Sequence, residues 1–531
     1  MRKFKALLVL NLKAMLSSFR FGGKKKAISG VGAAAFLAFI GLYLSGTYSF
    51  LLASQLAPLG MVRLVVLMMP VMVVGMGLVF TVFAAQGVIF GGRDNDFVLS
   101  LPVSAFTLLL SRTLALYLEN LLFSVFVMIP AGVAYLAHGG GGGAGFLLLL
   151  LLCAVFLALL PTTLDLLVGF VLAWLSGRFG RRPLVSNLLY SGAFILLLIF
   201  LFRFNLSISN ITLPAALGVE SGFSAWGLPF VLLMEATCDG NLLSLVLFTA
   251  LCVLPFLLVV WLFSGRYGRI VTSLGARSSR SDYKLGVLSA AGARRALLMK
   301  ESRRFFSTPI YFFNAGFGLV LMVVGGAAAL VFQAKVEEYL RQMGDFAAAL
   351  PMTPLLCAAL AFLVSMTAIT ASSVSLEGKM LWILKEAPVS PGEIFAVKVG
   401  FQLLLELPCL LIASLCLSRA FSLGIADCLV LFLVNTALAL FCALFGLFVN
   451  LSMPKLDAPN DAIVVKQSGA AMLGTFVPMI LVVALGFVWS LLQEPMGMLP
   501  ALLFCAALPV LGGAVLLWLL NTRGKALWLE L

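Results

Sequence analysis

Long uninterrupted apolar runs constrain this chain more than any other feature. A run of roughly 20 apolar residues is stable in a bilayer as a helix, which satisfies its own backbone polar groups where no water can. Twelve runs read this way. The first six are Gly30–Ala53, Leu64–Phe90, Thr113–Ala137, Gly145–Leu175, Leu188–Phe202 and Leu242–Phe263. The second six are Ile310–Phe332, Leu355–Val374, Val399–Leu417, Cys428–Val449, Met472–Leu492 and Met498–Leu520. Composition agrees: 62% of the 531 residues are hydrophobic and only 11% are charged. A mean hydropathy of +1.14 excludes a soluble globular enzyme, a disordered chain and a fibrous one. A porin-type barrel is excluded because its strands alternate in polarity. The expected fold is all-α and polytopic, with about 12 transmembrane helices.

Charge sets the orientation. The net charge is +14, but its distribution speaks for membrane topology and not for nucleic acid. With both termini cytosolic, 30 of the 35 Lys and Arg fall on the inner side, leaving Arg63, Arg203, Lys335, Arg341 and Arg419 outside. Removing one span from the middle would destroy that asymmetry. The N-terminal segment has Phe4, Leu8, Leu12, Met15 and Phe19 on one helical face with Lys5 and Lys13 off it. This is the pattern of a helix lying along the inner leaflet.

The chain also repeats itself. Residues 96–104 read DFVLSLPVS and residues 382–390 read WILKEAPVS. KALL at residues 5–8 and RALL at residues 295–298 match at nearly the same offset. Two halves follow, 1–285 and 286–531, each with a basic connecting helix and six spans. An even span number makes the halves parallel.

Chemistry is sparse. No G-x-x-x-x-G-K-[ST] occurs, so no P-loop is expected on this chain. The single histidine, His138, sits at an outside turn, the nine cysteines form no CxxC, and no metal site is expected. Ionisable groups inside spans cost ~2.5–3.5 kcal/mol or more at the bilayer centre, which singles out Glu119, Asp165 and Glu406. Glu119 and Glu406 fall within one residue of each other when the PVS triplets are aligned. Their plain reading is helix–helix polar contact; their functional reading is a cavity-lining or gating group.

The two PVS loops lie on the basic inner face and combine mixed charge, an aromatic and a Pro–Ser helix start. Arg93, Asp94, Asp96, Phe97 and Pro102 belong to the first. Glu377, Lys379, Trp382, Lys385, Glu386 and Pro388 belong to the second. A short amphipathic cytosolic helix present twice suits two copies of a soluble partner.

These motifs carry a family resemblance. DFVLSLPVS and WILKEAPVS resemble the repeated inside-loop motif of bacterial ATP-binding-cassette exporter permeases of the ABC-two class. The run from Lys300 to Tyr311 with Asn314, and the run Met453–Asp457 followed by Val465–Ser468, are similar to further inside segments of that family. The resemblance implies a permease of the bacterial cytoplasmic membrane with no ATPase site of its own. It would bind no cofactor, and two copies of a P-loop ATPase subunit would carry ATP and Mg. The PVS loops would be coupling helices, and the substrate amphipathic or apolar. The alternatives from the residues alone are an ion-coupled secondary transporter using Asp165, Glu119 and Glu406, and a membrane enzyme acting on lipid-linked substrates.

Overall fold

Three helices begin where the sequence supplies a serine cap. Ser104 and Ser390, the serines of the two PVS triplets, each take a backbone N–H onto their hydroxyl, from Thr107 and Glu393 at 3.3 Å. Ser468 does the same for Ala471 at 3.1 Å. Each cap satisfies one of the four donors that a helix start leaves open. A computed structural model describes residues 27–85, 89, 100, 102–179, 192, 227–275, 292–342, 351–458, 461–466 and 468–531.

Among the described residues the structure is 89% helical and has no strand. The described residues fall into two compact units, 27–275 and 292–531. The expected boundary at 285/286 lies outside the described residues. The first unit contains α1 (Ala27–Leu56), α2 (Arg63–Ala85), α3 (Ala105–Ala137), α4 (Gly143–Leu157), α5 (Leu159–Phe179), α6 (Leu228–Cys238) and α7 (Leu242–Gly275). The second opens with α8 (Ala293–Ser307), α9 (Pro309–Ala315), α10 (Phe317–Val331) and α11 (Gln333–Gln342). It continues with α12 (Met352–Ser365), α13 (Thr370–Ser373), α14 (Leu381–Glu386), α15 (Pro391–Ala420) and α16 (Ile425–Ser452). It closes with α17 (Asp461–Lys466), α18 (Gly469–Met496), α19 (Met498–Leu519) and α20 (Lys525–Glu530).

Eight helical stretches among the described residues are long and apolar enough to cross a membrane. Shorter apolar helices occur at Arg63–Leu78, Leu228–Cys238 and Phe317–Val331. The chain is thus a multi-pass, all-α membrane protein. The expected run Leu188–Phe202 lies outside the described residues apart from Gly192, as does the N-terminal amphipathic segment.

Three expected spans are broken where the sequence reads as one run. Gly145–Leu175 divides at Ala158, between α4 and α5. Pro161 has no N–H, and its ring crowds the carbonyl four residues back, that of Leu157. Ile310–Phe332 divides at Gly316, where an added Cβ would lie 2.6 Å from the Phe305 ring. Leu355–Val374 divides between Ser365 and Thr370. The segment before Asn241 contains α6, which packs on α2 and α7 and is tied to α2 by the Arg63–Asp239 ion pair at 2.6 Å.

Candidate functional site

The break between α12 and α13 exposes backbone groups inside the bundle, and each unmet group there would cost several kcal/mol. Neighbouring helices supply the missing partners. The Ala368 N–H donates to Ala315 O at 3.0 Å, and the Tyr311 hydroxyl donates to Ile369 O at 2.8 Å. Gln402, fully buried on α15, uses both ends of its amide. Its Nε2 donates to Thr367 O at 2.8 Å, and its Oε1 accepts from the Thr370 N–H at 3.1 Å. On α16, Asn450 Oδ1 accepts from Val374 N and Ser375 N at 2.7 and 3.0 Å. Two glycines let the short α13 sit so deep. A Cβ on Gly474 would lie 2.5 Å from the Ala371 Cβ, and one on Gly446 would lie 2.6 Å from Thr370 Oγ1.

Glu406 adjoins this break. It is fully buried on α15, one turn beyond Gln402, whose Nε2 donates to Glu406 Oε2 at 3.2 Å. Glu406 Oε1 has no hydrogen-bond partner.

At the end of the broken segment lies a buried charge cluster. The Lys398 ammonium has a side-chain exposure of 1%. Its three donors meet three acceptors: Glu301 Oε1 at 2.6 Å, Ser373 O at 3.1 Å and Glu377 Oε1 at 3.2 Å. Glu377 also accepts from Lys300 and, at 2.7 Å, from Arg304 Nη1. Arg304 Nη2 donates to Leu376 O at 2.6 Å. The basic helix α8 supplies Lys300, Glu301 and Arg304, so the cluster fastens α8 to α15 and to the turn before α14. Burial pulls the Lys300 ammonium below its ordinary range, against the raising effect of the Glu377 carboxylate. That turn needs Gly378, at φ 54° and ψ −136°, a region closed to residues with a Cβ.

The second PVS loop therefore divides by role. Glu377 was expected at a partner-facing surface, but its side chain is only 3% exposed and belongs to the internal cluster. Lys379, Trp382, Lys385, Glu386 and Pro388 are exposed. Trp382 stands out at 61%, beside exposed Met380 and Ile383. On the opposite face of α14, Leu381 and Leu384 are buried against Ile394, Phe395 and Trp528. In the first loop Pro102 is exposed; Arg93, Asp94, Asp96 and Phe97 lie outside the described residues.

The first unit holds a different polar arrangement. Arg112, eight residues past Ser104 as Lys398 is past Ser390, is also buried. It donates to Ile89 O and to the Tyr267 hydroxyl, both at 2.9 Å, and Tyr267 donates in turn to Ile89 O at 2.7 Å. The register residue for Glu406 is Asn120 and not Glu119: both follow their capping serine by 16 positions (104 to 120, 390 to 406). Asn120 is buried and Glu119 half-buried. Asn120 Nδ2 donates to Asp165 Oδ2 at 3.0 Å and to Thr162 Oγ1 at 3.1 Å. Asp165 is fully buried and so faces protein, not lipid. Pattern matching on acidic residues missed Asn120, Gln402 and Asn450. Their signal was a polar amide inside an apolar run.

Among the described residues no group of three or more His, Cys, Asp or Glu side chains could hold a metal ion. The chain matches no protein family, no curated protein and no solved structure.

Proposed function

We propose that this chain is the membrane-spanning permease of an ATP-driven exporter of the ABC-two class in the bacterial cytoplasmic membrane. It moves an amphipathic or apolar substrate, has no ATPase site of its own, and is driven by two P-loop ATPase subunits that carry ATP and Mg. The supporting observation is the linkage at α14. An exposed Trp382 tip sits on a six-residue helix whose other face is packed. The turn before that helix is bound through Glu377 to Lys300, Arg304 and Lys398. A push on Trp382 would reach α8 and α15 through a charged brace, not a flexible loop. The two serine caps and the buried residues at matching offsets support a parallel six-span repeat, hence 12 spans and a second coupling loop at Arg93–Phe97.

Affinity purification of the full-length chain in mild detergent from its own host should bring down a P-loop ATPase subunit. Reconstituted together, the two should show ATP hydrolysis that Trp382→Ala uncouples from transport. A chain that transports with no ATPase present would overturn the proposal.

A second reading has its own observation. Glu406 is buried, makes no ion pair among the described residues and leaves one oxygen unpartnered. This favours an ion-coupled transporter in which that carboxyl exchanges a proton. Dependence of transport on a proton gradient in ATP-free vesicles separates the two.

A further inference from the structure

A cavity of about 250 Å³ lies in the second unit between α12, α16, α18 and α19. It sits at the Pro351 end of α12, away from the charge cluster. Apolar cavities of about 150 Å³ already stay dry and accept a small apolar guest, so this one has room for an aliphatic chain. Its wall is almost wholly apolar, with Cys357, Leu438, Val482, Trp489 and Leu502 among the lining residues. Three lining residues, Leu355, Ala358 and Gly486, are exposed. A Cβ on Gly486 would meet nothing within 4 Å. The missing side chain leaves that rim open.

One wall residue is out of keeping. Asn435, fully buried on α16, donates through Nδ2 to Leu431 O at 2.8 Å and approaches Cys357 Sγ at 3.6 Å. Its Oδ1 has no hydrogen-bond partner. An unmet buried acceptor costs about 1–3 kcal/mol, and a Leu of similar size would avoid that cost. With Nδ2 committed, the amide can only accept, so a guest that satisfies it must be a donor.

We propose that this cavity binds an amphiphile with an aliphatic body and a terminal hydroxyl. The guest enters from the bilayer past Gly486, fills the cavity with its chain and donates its O–H to Asn435 Oδ1. The site stands apart from the proposed ATPase coupling and is testable without transport.

The full-length protein in detergent is photolabelled with an octanol bearing a diazirine, and the labelled residues are mapped. Labels should concentrate on the cavity walls of α12, α16, α18 and α19. Unlabelled octanol should then compete about five- to tenfold better than octyl methyl ether, the worth of one hydrogen bond. Asn435→Leu should abolish that preference while retaining ether competition. Gly486→Leu, whose Cβ meets nothing within 4 Å, should lower labelling by both probes. Labels spread evenly over the lipid-facing surface, or equal competition by alcohol and ether in the unaltered protein, would overturn the proposal. The alcohol–ether contrast needs no variant, so it decides the matter even if Asn435→Leu fails to fold.

Discussion

Lys398 shows what makes a buried charge tolerable: three N–H donors meet three acceptors, two of them carboxylates. Lys398→Met would leave Glu301 without its cation, whereas Glu377 would keep Lys300 and Arg304. Breaking a buried pair from one side costs about 3–5 kcal/mol, so the variant should unfold at a clearly lower temperature in detergent. Adding Glu301→Gln removes the stranded charge and should recover much of the loss; a double variant as unstable as the sum of the singles would contradict the pairing. Glu406→Gln keeps the side chain's shape and should leave folding unchanged. Under the exporter reading ATP-driven transport survives it, and loss of transport in a folded variant would favour the ion-coupled reading. The residue scale is also where the sequence misled. Glu119 and Asn120 differ by one position, but one step on a helix turns a side chain by about 100°. That turn decides which of them faces Asp165, and acidity alone could not tell.

A six-residue helix such as α14 does not persist in isolation; it stands because Leu381 and Leu384 are packed and Gly378 sets its angle. Trp382, on the free face, contributes little to folding. Trp382→Ala should leave the melting temperature unchanged and weaken ATPase binding by about 2 kcal/mol, the scale of an aromatic interface anchor. A titration of the ATPase subunit onto the detergent-solubilised chain measures this, and unchanged affinity would remove α14 from the interface. Reversing the charge of Lys385 and Glu386 together tests the rim of the same contact. Inside the bundle, Gly474→Val should destabilise by about 1–3 kcal/mol, because the new Cβ meets Ala371 and neither backbone can retreat in a close-packed interior. Thermal unfolding of the variant in detergent checks it. The α4–α5 kink was legible in Pro161. The α12–α13 break was not, because the groups that make it tolerable, Tyr311, Gln402 and Asn450, come from α9, α15 and α16.

For the whole molecule, the two compact units of one chain bear on stoichiometry. If each carries a coupling loop, the working complex is one copy of this chain with two ATPase subunits. Native mass spectrometry of the detergent-solubilised complex should find that ratio; two copies of this chain per ATPase pair would contradict the repeat. The sequence by itself determined that the chain is helical and multi-pass, because bilayer thickness and the cost of unpaired backbone act on every run regardless of its neighbours. It also marked the starts of α3 and α15, since a capping serine acts within three residues. Only the tertiary structure decided that a span breaks between α12 and α13, that Glu377 is an internal brace while Trp382 is exposed, and that Asn435 borders a cavity. Each of these depends on which side chains other helices bring within about 3 Å, and hydrogen bonds and steric contacts act at that range and no further.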